Sequence, residues 1–117
     1  MHELTQYEKE IRPWGTFERF TANEVSTVKI ITVQPGEAFS LQKHAHRSEF
    51  WRILSGSATI TVGDDQHEVA PGDQFFIPEE TVHRAEAGKS GLQFLEISFG
   101  TFDEGDIVRL EDKYGRA

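Results

Sequence analysis

Gln42, His44 and His46 stand two residues apart within the run from Gly36 to Trp51. In an extended strand that spacing turns all three side chains to one side. Glu49 breaks the parity, so a carboxylate can join the imidazoles only if a turn or bulge falls between His46 and Glu49, where Arg47 and Ser48 stand. A further histidine, His83, closes the segment Pro78-Glu79-Glu80-Thr81-Val82-His83. Neutral imidazoles with one carboxylate on neighbouring strands suit Zn²⁺, Fe²⁺, Mn²⁺, Co²⁺ or Ni²⁺, and the Gln42 amide oxygen would add a harder ligand. Two histidines at i and i+2 are by themselves ordinary surface polarity, so the weight rests on the whole constellation. The chain has no cysteine, which excludes disulfides and thiolate sites and leaves a metal only His, carboxylate or amide oxygen.

Strands must position these groups. Val25 to Val33 is rich in β-branched residues, and Ser57 to Val62 alternates, with Ala58, Ile60 and Val62 on one face. Gly63-Asp64-Asp65 signals a turn, after which Gln66 to Val69 should pair back as a hairpin. Pro71-Gly72-Asp73 signals another turn before Gln74 to Ile77, and Gln93 to Phe99 puts Leu95, Ile97 and Phe99 on one face. No helical period is sustained, so the pattern predicts an all-β sandwich or barrel. Residues 1–11 are polar and read as an N-terminal arm, either a helical turn or loose chain. Arg12-Pro13-Trp14-Gly15 breaks any helix, and residues 12–117 read as one domain.

Twelve basic and twenty acidic residues give a formal net charge of −8. That charge argues against nucleic-acid binding, which needs a basic surface, and fits simple solubility. An anionic substrate would need a local cluster of Arg and Lys. No apolar run is long enough to span a bilayer, and the N-terminus has no basic or apolar signal region, so a cytoplasmic protein without membrane association is expected.

The spacing resembles that of the cupin superfamily, whose first motif is Gly, five residues, His-x-His, three or four residues, Glu, six residues, Gly. Here it reads Gly36, five residues, Gln42-Lys43-His44, four residues, Glu49, six residues, Gly56. In the second motif Gly72, Pro78 and His83 match, whereas Glu80 replaces the usual Gly and Ala87 the usual Asn. The resemblance implies a single-domain cupin, a jelly-roll double-stranded β-helix. It also implies one divalent metal, zinc foremost with Co, Mn, Ni and Fe admitted, on Gln42, His44, Glu49 and His83. A register using His44 and His46 as the pair leaves only two residues before Glu49, too few for the motif.

A closer similarity is to type II phosphomannose isomerases. It is carried by Arg12-Pro13-Trp14-Gly15, by the block from Leu41 to Trp51, and by Asp106 to Arg116. It implies interconversion of mannose 6-phosphate and fructose 6-phosphate through a cis-enediol. In that family the cupin follows a guanylyltransferase half that these 117 residues do not accommodate, so that second activity is not expected. The similarity leaves His46 facing the cavity as first choice for the base, with a metal-bound hydroxide as alternative. Arg47, Arg109 and Arg116 are the cations for the substrate phosphate. Lys43 and Arg52 read as solvated charges, His2 and His67 as exposed polar residues, and Trp14 and Trp51 as packing rather than sugar-stacking groups. The rival functions are a non-catalytic sugar- or small-ligand-binding metal cupin and, third, a metal-dependent oxygenase. A homodimer joined through edge strands is expected.

Overall fold

The computed structural model describes residues 4–100, 102, 103 and 105–111. Nine strands follow in chain order: β1 (Glu8–Arg12), β2 (Gly15–Arg19), β3 (Ser26–Val33), β4 (Leu41–Lys43), β5 (Ser48–Val62), β6 (Asp65–Val69), β7 (Gln74–Ile77), β8 (His83–Phe99) and β9 (Val108–Glu111). The described residues contain no helix, and no helix there is long and apolar enough to cross a membrane. The predicted hairpin appears as β5–β6, turning at Gly63-Asp64, and the strand after Pro71-Gly72-Asp73 is β7. Part of the expected arm is neither helical nor loose. Glu8–Arg12 pairs with Gly15–Arg19 around a Pro13-Trp14 turn.

The architecture follows from two long strands. β5 has 15 residues and β8 has 17, and they pair antiparallel from Ser48↔Phe99 to Val62↔His83. The first part of β5 takes β7 on its other edge and the last part takes β6. Likewise the start of β8 meets β4, while Leu92 to Phe99 meets β3. One bent ribbon therefore belongs to both walls of a jelly roll. The bend is where register shifts between Ile53 and Ser55 and between Gly56 and Ala58, as bulges do. Trp51, Ile53, Ala58, Ile60, Ile77, Leu92 and Phe94 form the core between the walls. Trp51 and Phe94 are fully buried, with ring centroids 4.5 Å apart.

Leu95, Ile97 and Phe99 do share a face of β8, but it is the outer one. The face that joins the core and the cavity carries Leu92, Phe94, Glu96 and Ser98. Ile97 is nonetheless buried; it is the register partner of Phe50, whose ring lies 5.5 Å from Phe20 just beyond β2. Arg52 on β5 fastens the same hairpin by its 2.5 Å ion pair with Glu18, whose carboxyl it and Tyr7 hold down to about 2. Trp14 is exposed at the hairpin tip and stacks on Phe17, Lys43 pairs with Glu80 at 3.5 Å, and exposed His67 lies against Phe75. His2 lies outside the described residues.

Two backbone positions test the motif reading. Gly56 has φ +88°, and a Cβ there would stand deep inside van der Waals contact with the Gly91 carbonyl. Glu80, where the cupin pattern has Gly, adopts φ +62° and so keeps the loop geometry at a steric cost. Gly56→Ala is expected to lower unfolding free energy by about 2 kcal/mol or more, since both backbone strands would have to separate. Glu80→Gly should raise it by about 0.5–1 kcal/mol, because the loss of a half-exposed ion pair costs little. Urea denaturation midpoints check both signs.

Candidate metal centre and adjoining cavity

His44 directly follows β4, Glu49 is the second residue of β5 and His83 opens β8. All three are buried, and one potential ligand atom from each lies within 4.8 Å of the others. Their hydrogen bonds fix how the imidazoles face. His44 Nδ1 is 2.6 Å from the Asp106 carbonyl and His83 Nδ1 is 2.9 Å from the Thr81 carbonyl. A carbonyl only accepts, so each Nδ1 carries the proton and each Nε2 turns a lone pair inward. His44 Nε2 is 3.5 Å from Glu49 Oε2, and His83 Nε2 is 3.7 Å from Glu49 Oε1. Burial pulls the His83 pKa down against the opposing pull of Glu49, keeping the ring neutral and ligand-ready. His83 Nε2 is buried with no hydrogen-bond partner among the described residues, which is what a ligand atom would show and a structural histidine rarely does. The donor set therefore fits a divalent metal: Trp51 Nε1–H steadies Glu49 Oε1 at 3.0 Å, and Arg47 Nε–H donates to Glu49 Oε2 at 3.0 Å. Arg47 Nη2 also lies 3.1 Å from His44 Nε2, so a metal ion would compete with that guanidinium for the lone pair.

The expected convergence of Gln42, His44 and His46 on one strand face does not occur. β4 stops at Lys43 and the chain bends through 44–47, earlier than the turn expected after His46. The Asp106 carboxylate holds this bend by accepting from the backbone N–H groups of Ala45 and His46, both at 2.8 Å. Partial burial would raise the Asp106 pKa, but those two donors and the nearby histidines bring it down. Glu80 N–H closes the other side of the bend on the His44 carbonyl at 2.7 Å. His44 is thus turned inward, whereas His46 is exposed and does not line the cavity beside the trio. Gln42 does line it; it is the register partner of His83, and its Oε1 accepts from Ser40 Oγ at 3.2 Å.

That cavity, about 220 Å³, shares Glu49 with the trio and adds Lys29, Arg47, Glu96 and Arg109. Arg109 sits on β9 opposite Gln42, and its Nε is buried with no partner among the described residues. Arg47 and Lys29 both lie over the Phe102 ring, at 4.6 and 4.2 Å. Arg116 falls outside the described residues. Glu96 is 6% exposed; burial first, then the Glu49 charge, pushes its pKa up to about 7 against Lys29, Arg47 and the 3.2 Å bond from Ser98 Oγ. Lys29, Glu96 and Asp106 were not singled out as functional by sequence. The signal for Glu96 is a lone acid inside the apolar run Leu92 to Phe99; for Asp106 it is its place at the head of the C-terminal block.

Comparison with known proteins agrees with this picture. A family profile described as mannose-6-phosphate isomerase C-terminal matches residues 1–112. The chain is 40% identical over 116 residues to the mannose-1-phosphate guanylyltransferase RfbM of Salmonella typhimurium, covering 97% of this chain and 24% of that protein. The chain thus spans about a quarter of the length of the curated relatives it matches. Among solved structures, a putative sugar phosphate isomerase from Acidithiobacillus ferrooxidans aligns with TM-score 0.59 and 28% identity over 65% of this chain and 51% of that one. A cupin protein from Bacteroides fragilis aligns with TM-score 0.58 and 24% identity over 67% of this chain and 70% of that one, which bears on fold alone. The fold is a cupin, and the chain belongs to the family of mannose-6-phosphate isomerase C-terminal domains.

Proposed function

We propose that this domain is a metal-dependent aldose–ketose isomerase that interconverts mannose 6-phosphate and fructose 6-phosphate. The observation that carries the reading is the meeting of two sites: the His44–Glu49–His83 trio and a cavity bearing Lys29, Arg47 and Arg109 share Glu49, and Arg47 reaches from the cavity to both Glu49 and His44. In a chain of net charge −8, three cations around one cavity are the local cluster an anionic substrate requires. The family match and the likeness to a putative sugar phosphate isomerase support the same substrate class.

His44, Glu49 and His83 would hold the metal, with Gln42 beside them as the fourth candidate ligand. When bound, such an ion supplies Lewis-acid stabilisation of charge on a substrate oxygen. The chain's own residues do the rest. Arg109 and Lys29 hold the phosphate, and Arg47 moves from its hold on Glu49 to share that charge. Ile31, Phe39 and Ile107 on the cavity wall exclude water and so strengthen each of these attractions. Asp106 fixes His44 through the bend it caps. His46 stays at the exposed rim.

Purified protein should bind about one divalent ion per chain, with zinc the first choice. Asp106→Ala should weaken that binding by about tenfold by releasing the bend, as outer-shell changes do, and His83→Ala by far more. Titration calorimetry and elemental analysis read both, and metal-loading that is indifferent to His83 would refute the site. With metal bound, a coupled assay on mannose 6-phosphate should show turnover that His44→Ala reduces by at least about a hundredfold. Metal-loaded protein that binds mannose 6-phosphate and never converts it would instead be a sugar-binding cupin.

A further inference from the structure

Moving a proton between neighbouring carbons takes a group that faces the substrate, and His46 stands on an exposed bend. Two carboxylates line the cavity. Glu49 is committed to Trp51, Arg47 and the two imidazoles. Glu96 is not part of the trio. It projects from the last third of β8, opposite Trp51 on one neighbouring strand and Lys29 on the other. The next inward residue along β8 is Phe94, fully buried in the core, so an apolar side chain at 96 would simply extend that core. A carboxyl at 6% exposure is an expensive substitute, and the fold does not require it.

Resting on the isomerase reading above, we propose that Glu96 is the proton-transfer group of this site, working on the carbon framework from the cavity wall while the trio lies to its side. The Glu96 carboxylate takes the C2 proton of the open-chain aldose. The C2–H bonding pair becomes the C1–C2 double bond, and the carbonyl pair moves onto O1, giving the enediolate. The O2 proton passes to O1, the O2 charge re-forms a carbonyl at C2, and the protonated Glu96 returns its proton to C1. Nothing is oxidised or reduced overall, and Glu96 ends as it began. Its surroundings match the task. Burial and the Glu49 charge favour the protonated form, while Lys29, Arg47 and the Ser98 hydroxyl favour the ionised one, so neither form is strongly held.

The test compares Glu96→Gln with the unaltered, metal-loaded chain. Metal content and calorimetric affinity for fructose 6-phosphate should change less than threefold. The kcat should fall by at least a hundredfold with KM within threefold, and deuterium wash-in from D₂O into fructose 6-phosphate should be lost with it. The residual rate should also lack the acidic limb that the parent shows as its base is protonated. Glu96→Asp, which withdraws the carboxyl by one methylene, should keep the limb and lose at least tenfold in kcat, and it decides the matter if the Gln variant fails to fold. A kcat within threefold of the parent in either variant, or a loss that tracks metal or ligand binding, overturns the assignment to Glu96 while leaving the isomerase intact. If the parent itself binds fructose 6-phosphate but neither converts it nor exchanges its hydrogens, the isomerase reading fails and Glu96 falls with it.

Discussion

A carboxylate with 1% exposure governs the mouth of this barrel. Glu49 cannot be stable there as an anion unless other groups surround it, since uncompensated charge in a protein interior costs several kcal/mol. The surrounding groups come from every direction the fold offers. Trp51 donates from below, on the same strand; Arg47 reaches in from the bend; His44 and His83 approach from β4 and β8. Trp51 carries the constraint downward as well. Its ring packs on Phe94 and stands edge-on to His83 at 5.6 Å. The orientation of the carboxylate is therefore continuous with the packing of the core.

The long β8 strand links the two halves of the site. It supplies His83 at its first residue and Glu96 thirteen positions later, across the bend where Gly56 and Gly91 approach. Because β8 belongs to both walls, the relative placement of imidazole and carboxyl is set by strand register rather than by a loop. The cations arrive differently. Lys29 comes from β3, Arg109 from β9 and Arg47 from the bend, three separate pieces of chain that converge on one cavity. A chain with an excess of acid can thus be locally basic where an anion would enter.

Turns and short hairpins were legible in the sequence because their chemistry is local. Gly63-Asp64 and Pro71-Gly72-Asp73 reverse the chain on their own account. The trio was legible through motif spacing, which carries the fold's geometry in compressed form. His46 was misplaced because period-two logic holds only while a strand continues. What ends β4 at Lys43 is a carboxylate some sixty positions away, Asp106, bonding to the backbone of Ala45 and His46. No local pattern near His44 contains that information. Glu96 was hidden for a related reason: its parity puts it with Phe94, but the sequence marks both faces of this strand as apolar, Leu95, Ile97 and Phe99 on one and Leu92 and Phe94 on the other, and does not say which is inward. On that outer face Ile97 is buried beside its register partner Phe50, whose ring meets Phe20, and the Phe99 ring lies 6.3 Å from that of Phe76, so its hydrophobicity serves a second apolar layer outside the barrel interior.

The distribution of satisfied and unsatisfied groups separates structure from function. Buried polar atoms are nearly always paired, and most of the site obeys: both Nδ1–H groups, both oxygens of Glu49 and the capped bend have partners. Two buried side-chain nitrogens among the described residues do not, His83 Nε2 and Arg109 Nε. They are not scattered. Gln42 on β4 is the register partner of both His83 and Arg109, so the two unpaired atoms belong to strands on either side of one residue. One is a lone-pair donor suited to a cation and the other an N–H suited to an anion. A site that left only the histidine unpaired would ask for a metal, and one that left only the arginine would ask for a phosphate. Leaving both, on neighbouring strands that flank the same glutamine, is the arrangement that the proposed reading, a metal ion beside a phosphorylated substrate, calls for.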